Sequence, residues 1–117
     1  MASGDRLTVP ASGSAPLVSI VIPVRNGLPF IKQALDSALA DNGVDLEVIV
    51  GENFSTDGTA EWLSTITDPR VRIVQAKDSL TAAQNWTTVC REARGTWLKV
   101  LCADDFLPEG GLRRQVE

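Results

Sequence analysis

Short apolar runs alternate with segments of helical periodicity, and this alternation constrains the fold more than any other feature of the chain. Residues 17–22 and 46–50 are rich in Val, Ile and Leu, which is typical of strands buried on both faces. Residues 71–74 form a more polar run typical of an edge strand, and residues 97–101 predict a fourth, largely buried strand. Such alternation predicts an α/β fold, a Rossmann-like parallel sheet in the order 3-2-1-4 flanked by helices.

Three helical segments separate the predicted strands. Apolar residues at helical spacing predict a helix over residues 30–39, and a shorter helix over residues 59–66 ends before Pro69. A third helix is predicted over residues 80–93, with Ser79 as its N-cap and Trp86 in its apolar stripe.

Composition indicates one folded domain that is not expected to bind nucleic acid or to span a membrane. Residues 1–16 are rich in Ala, Ser, Gly and Pro, so we expect a disordered leader before a domain over residues 17–117. A net charge of -4 and the lack of a Lys/Arg cluster argue against nucleic acid as a partner. No apolar run reaches the ~18 residues that a transmembrane helix needs, so we expect no such segment.

Cysteine and histidine usage excludes several kinds of site. Cys90 and Cys102 lie in apolar segments, which predicts buried, reduced thiols and a cytoplasmic protein. Because the chain has 0 histidines, it contains no imidazole base and no Ser-His-Asp triad.

Polar side chains follow three of the predicted strands, at residues 23–26, residues 52–57 and the pair Asp104-Asp105. Pro23 is expected to end the first strand, and the polar turn after the second strand is expected to begin at Gly51. In the predicted strand order, strand 1 lies between strands 2 and 4, so all three clusters meet at one edge of the sheet, where ligands of such folds bind. Two adjacent carboxylates can hold a divalent cation, and the cation can hold a phosphate. A bare pair of acids can also simply end a strand and begin a turn.

Two common phosphate-binding motifs are absent. The turn over residues 24–29 contains one glycine, so it lacks the glycine-rich fingerprint of dinucleotide-binding folds, and no Gly-Lys-Ser/Thr sequence occurs. A pyrophosphate would therefore need positive charge from another source, such as a metal on Asp104 and Asp105.

Three segments together resemble the start of a family-2 glycosyltransferase: residues 18–26, 47–59 and 93–105. They stand in the family's order, at natural spacings, and cover nearly everything after residue 16. The resemblance implies the N-terminal, nucleotide-binding part of a GT-A fold. It also implies inverting transfer of a sugar from a nucleoside diphosphate sugar to an unknown acceptor, which could be a saccharide, a lipid or a protein.

The resemblance also implies which residues bind the nucleotide sugar. These are Pro23, Val24, Arg25, Glu52, Asn53, Asn85 and Asp104. The family more often has an aromatic residue in place of Arg25, and aspartate in place of Glu52, the acid that contacts the base. Asp57 lies in the same turn as Glu52 and is interpreted either as part of the site or as a helix cap.

A divalent cation, Mg²⁺ or Mn²⁺, is implied by the match of Asp104 and Asp105 to the family's acidic motif, with Asp105 as the direct ligand. The usual motif has a further acid two residues before Asp104, where this chain has Cys102. These metals prefer oxygen ligands to a thiol, so we expect weakened metal binding.

The family's catalytic base, an acid in its second half, has no counterpart in these 117 residues. We therefore expect this chain to bind the donor but not to transfer sugar by itself. We also expect exposed apolar surface beside strand 4, with self-association as its consequence.

Two alternative functions are a non-catalytic nucleotide- or Mg²⁺-binding α/β domain and a nucleotidyltransferase. An example of the first alternative is a receiver-like signalling domain, which needs a phosphorylatable aspartate at the end of a central strand. At those positions this chain has Pro23 and Gly51-Glu52. A nucleotidyltransferase usually has a glycine- and basic-rich loop after strand 1, which this chain lacks.

Overall fold

The computed structural model describes residues 16–40 and 44–102. The elements are β1 (Val18–Val24), α1 (Phe30–Leu39), β2 (Leu46–Glu52), α2 (Thr59–Leu63), β3 (Val71–Gln75), α3 (Ala82–Arg91) and β4 (Trp97–Val100). The four strands form one parallel sheet in the order β3-β2-β1-β4. The predicted fold and strand order are therefore confirmed. The predicted leader lies outside the described residues except for Pro16.

The two central strands are buried on both faces of the sheet. Side chains of β1 at alternate positions, such as Ile20 and Ile22, pack with Ile31 and Leu35 of α1 on one face. Residues on the other face, including Val21, pack against α3. This burial explains why β1 and β2 are almost continuously apolar in the sequence.

Proline does not end the first strand as predicted, because β1 continues to Val24. The N–H of Leu101 donates to the carbonyl of Val21 at 2.9 Å, so Val21 directs its backbone groups towards β4. The backbone of Pro23, two residues later, also faces β4, but the pairing of β1 with β4 stops at Val21 and Val100. The missing N–H of proline therefore removes no bond from the described ladder.

The fourth strand is not largely buried, which corrects the prediction. Among the described strands, β4 lies at the edge of the sheet, and Trp97 and Leu98 are 54% and 50% exposed. An edge strand has one neighbour, and the described residues leave these two side chains half uncovered. The expected apolar surface is therefore present beside β4, whereas self-association stays a prediction.

Two helices differ from their predicted bounds. Ser79 is not the N-cap of α3: Thr81 is, because its Oγ1 accepts from the N–H of Gln84 at 3.1 Å. The side chain of Gln84 in turn accepts from the N–H of Thr81 at 2.9 Å, which completes a capping box. α2 ends at Leu63, earlier than predicted. Within the described ranges, no helix combines the length and apolarity needed to cross a membrane.

A buried carboxylate holds the connection from α3 to β4 at the amino ends of the strands. Glu47 accepts a hydrogen bond from Ser19 Oγ at 2.6 Å and from the N–H and Nη2 of Arg94 at 2.8 and 3.0 Å. Ser19 Oγ also accepts from the N–H of Gly95 at 2.7 Å. Burial alone raises the pKa of Glu47, but the hydrogen bonds from Ser19 and Arg94 outweigh it and hold the pKa below its ordinary value.

Candidate functional site

A cavity of about 350 Å³ lies where the carboxyl ends of β1 and β2 meet the first turns of α3. Its lining consists of Pro23, Val24, Arg25, Asn53, Leu80, Ala82, Asn85, Trp86 and Cys102. The structure therefore brings together the predicted residues Pro23, Val24, Arg25, Asn53 and Asn85. This edge of the sheet is where ligands of open parallel sheets bind.

Gly51 allows α3 to lie close to β2 and so positions Asn85. The Nδ2 of Asn85 donates to the carbonyl of Gly51 at 3.0 Å, and the side chain is only 5% exposed. A Cβ on Gly51 would stand 3.0 Å from Asn85 Oδ1 and 3.1 Å from Val89 Cβ, which is tighter than normal packing. Gly51 was predicted to begin a turn, but it is a strand residue that permits this helix–strand contact.

Asn53 connects the end of β2 to the segment before α3. Its Nδ2 donates to the carbonyl of Leu80 at 2.8 Å, and its Oδ1 accepts from the N–H of Leu80 at 2.9 Å. The side-chain amide of Asn53 thus makes both hydrogen bonds to the backbone of a single residue, as a residue of a neighbouring strand can. Asn53 shapes the wall of the cavity through these bonds.

Glu52 is not part of the cavity lining. Its side chain is 1% exposed, and its carboxylate accepts from the N–H of Ser55 at 3.1 Å and from Gln75 Nε2 at 3.3 Å. A buried carboxylate needs such partners. The structure therefore places Glu52 in the support of the turn after β2, and contact with a base stays a prediction.

The turns after β1 and β2 are hydrogen-bonded to each other through Asn26. The N–H of Asn26 donates to Ser55 Oγ at 2.8 Å, and Asn26 Oδ1 accepts from the N–H of Thr56 at 2.7 Å. Asn26 and Phe54 have φ angles of 56° and 51°, in the left-handed region that is unusual for an aromatic residue. These bonds fix the turn that carries Arg25.

Asp57 precedes Gly58, the N-cap of α2, and hydrogen-bonds to the first residue of that helix. Its Oδ1 accepts from the Oγ1 and N–H of Thr59 at 2.6 and 3.0 Å, and its Oδ2 accepts from the N–H of Leu28 at 3.1 Å. The hydrogen bond from the Thr59 side chain is the main reason why the pKa of Asp57 lies below its ordinary value. Asp57 is therefore not the N-cap residue itself, although its carboxylate accepts from the first residue of α2, and a part for Asp57 in the site stays a prediction.

The predicted metal ligands Asp104 and Asp105 lie outside the described residues. Cys102 is exposed and lines the cavity, contrary to the prediction of a buried thiol, because β4 ends at Val100 and Cys102 follows the sheet. Residues 16–40 and 44–102 contain no group of three His, Cys, Asp or Glu side chains that could hold a metal ion. A metal assignment therefore depends on Asp104 and Asp105.

Trp86 is a cavity residue that the sequence reasoning missed. Its place in the apolar stripe of the third helix predicted a core residue, but it is 46% exposed and lines the cavity. Its position in the sequence could have identified it as a site residue, because Trp86 follows the predicted site residue Asn85 and shares a helix face with Ala82, four residues earlier.

Comparison with known protein families agrees with this geometry. Residues 19–117 match the family described as Glycosyl transferase family 2. The chain belongs to this family. A relative of this glycosyltransferase chain is the succinoglycan biosynthesis protein ExoO of Rhizobium meliloti, 35% identical over 108 residues. That match covers 92% of this chain and 31% of ExoO, so the chain spans about a third of its relative's length.

Solved structures confirm the GT-A fold of the family-2 chain. TarS of S. aureus, residues 1–349, superposes with a TM-score of 0.77 at 18% identity, covering 86% of this chain and 31% of that one. The mannosyltransferase PcManGT of Pyrobaculum calidifontis superposes with a TM-score of 0.68 at 28% identity, with the same coverages of 86% and 31%. PcManGT was solved in complex with GDP-Man and Mn²⁺, and TarS has also been solved in complex with UDP-GlcNAc.

Proposed function

We propose that this family-2 glycosyltransferase chain binds a nucleoside diphosphate sugar and serves the inverting transfer of that sugar to an acceptor. The observation that carries the proposal is the cavity at the carboxyl ends of β1 and β2, which collects the residues that the resemblance implies. The nucleotide sugars in the TarS and PcManGT structures support this ligand class.

The cavity has the size and chemistry for a nucleoside. Pro23 and Val24 contribute apolar surface, and Arg25 contributes a guanidinium that can donate to a base edge or a phosphate. Asn85 uses one amide N–H on Gly51, and its Oδ1 and second N–H have no partner within the described part of the chain. A base or ribose can supply those partners, which a buried amide needs.

A divalent cation, Mg²⁺ or Mn²⁺, belongs to the same proposal. Asp105, with Asp104, would hold it and so offset the charge of the diphosphate leaving group. The exposed thiol of Cys102 stands where a carboxylate would add a third oxygen ligand, so we expect weaker metal binding than a full acidic motif gives. The Mn²⁺ in the PcManGT complex supports this choice of ion.

Calorimetric titration of the 117-residue chain with UDP, GDP and ATP tests the proposal, each with Mn²⁺ and with EDTA. We expect a nucleoside diphosphate to bind, and to bind more tightly with Mn²⁺. Asp105→Asn should remove the difference between Mn²⁺ and EDTA. Preferential binding of ATP would favour a nucleotidyltransferase, and metal binding without any nucleotide would favour a non-catalytic domain.

A pair of substitutions on α3 makes the test specific to the cavity. Asn85→Ala should weaken nucleotide binding about fivefold, the effect of losing ~1 kcal/mol of hydrogen bonding. Thr87→Ala is the matched control, because Thr87 is exposed on the same helix and does not line the cavity. Equal affinities in both variants and the unmodified chain would contradict the assignment of the cavity as the donor site.

A further inference from the structure

Within the described part of the chain, the aromatic side chain of Trp86 is not packed into the hydrophobic core. The buried cluster beneath α3 is formed by Val21, Ile49 and Val89, and Trp86 is not among its members or the side chains packed against it. The indole is 46% exposed, yet it lies in the lining of the cavity. An aromatic ring placed in a cavity in this way can bind a ligand by its flat face.

The surroundings of Trp86 indicate which kind of ligand surface fits. Asn85, the preceding residue, is a buried amide whose Oδ1 has no partner within the described ranges. Arg25 adds a guanidinium from the turn after β1. A flat apolar ring beside an amide and a guanidinium suits a planar heterocycle with polar edges, which is the chemistry of a nucleobase.

We propose that Trp86 is the stacking platform for the nucleobase of the donor, with the polar edge of the base at Asn85. This inference rests on the proposed donor-binding function and adds the residue that supplies base affinity. Every base has a π face, so stacking on Trp86 strengthens binding without selecting a base. Selection among bases then falls to the polar groups of Asn85 and Arg25.

Tryptophan fluorescence and calorimetry with UDP and GDP test this role. The chain has 3 tryptophans, and Trp97 is a matched control because it is 54% exposed on β4 and does not line the cavity. We expect quenching by a nucleotide in the unmodified chain and in Trp97→Phe, and loss of that quenching in Trp86→Phe. Trp86→Ala should weaken nucleotide binding about 5- to 150-fold, whereas Trp86→Phe, which keeps a ring, should stay close to the unmodified chain.

Inorganic pyrophosphate with Mg²⁺ separates a base contact from a general change in the cavity, because pyrophosphate has no base. Its affinity should be the same in Trp86→Ala and in the unmodified chain. Equal weakening of pyrophosphate and nucleotide would overturn the stacking role, and so would unchanged nucleotide affinity in Trp86→Ala. If the unmodified chain binds no nucleotide, the donor-binding function itself is refuted, and the inference with it.

Discussion

Replacing Gly51 with alanine tests whether the close contact between α3 and β2 holds the candidate site together. The new Cβ would stand 3.0 Å from Asn85 Oδ1 and 3.1 Å from Val89 Cβ. Val89 is fully buried, so it has little room to move away. Overpacking of this kind costs about 1–3 kcal/mol, and the reduced freedom of the unfolded chain offsets about 0.4–1 kcal/mol of it. We expect a net loss of ~1–2 kcal/mol in the free energy of unfolding.

The assay is urea unfolding followed by circular dichroism, together with nucleotide titration of the same variant under native conditions. Gly51→Ala should lower the free energy of unfolding and also weaken nucleotide binding, because the clash displaces Asn85. Gly58→Ala is the control: Gly58 has a φ of 97° and lies outside the cavity lining, so alanine there should destabilise the fold by roughly 1 kcal/mol without changing nucleotide affinity. If Gly51→Ala kept both the stability and the affinity of the unmodified chain, the reasoning about this contact would be refuted.

Two further predictions concern carboxylates. Because the folded pKa of Glu47 is lowered, its stabilising effect is complete above its unfolded pKa of about 4.3 and is lost as the pH falls through the folded pKa. Glu47→Gln should therefore lower the free energy of unfolding by ~1.5–3 kcal/mol at neutral pH, and the difference from the unmodified chain should shrink as the pH falls. Urea unfolding at several pH values measures this difference, and a difference that stays constant with pH would contradict the argument. Cys102→Asp should tighten Mn²⁺ binding about tenfold, equal to ~1.4 kcal/mol, because it adds an oxygen ligand to that of Asp105. Calorimetric titration with Mn²⁺ measures this, and an unchanged affinity would place Cys102 away from the metal.

The order and direction of the strands could be predicted because the sequence patterns that indicate them are local. The apolar runs of β1 and β2 identify strands buried on both faces, and right-handed crossovers leave few possible orders. The exposure of Trp97 and Leu98 could not be predicted in the same way, because an apolar run does not show whether a strand has one neighbour or two. The prediction that Pro23 ends β1 is wrong for a related reason, since the effect of a proline in a strand depends on where the pairing with the neighbouring strand stops.

The candidate site could be predicted to the level of segments but not of side chains. Glu52 and Asn53 are adjacent, yet Asn53 lines the cavity and Glu52 is buried in the turn beside it. Glu52 is the last residue of β2 and Asn53 follows it, so their side chains point to opposite sides of the extended backbone, and the sequence does not show which of the two faces the ligand. Trp86 was missed because apolar spacing on a helix does not separate a core residue from one that lines a cavity.

Asparagine side chains around the cavity link the elements that form it. Asn26 connects the turns after β1 and β2, Asn53 connects β2 to the segment before α3, and Asn85 connects α3 back to β2. Each of these side-chain amides supplies hydrogen bonds where the backbone makes no strand pairing. The shape of the cavity and the stability of the fold therefore depend on the same hydrogen bonds. Arg25 and Trp86, by contrast, are exposed side chains within this frame. Substitutions at Arg25 or Trp86 can therefore change how tightly the cavity binds its ligand at little cost in stability, whereas substitutions at the asparagines change binding and stability together.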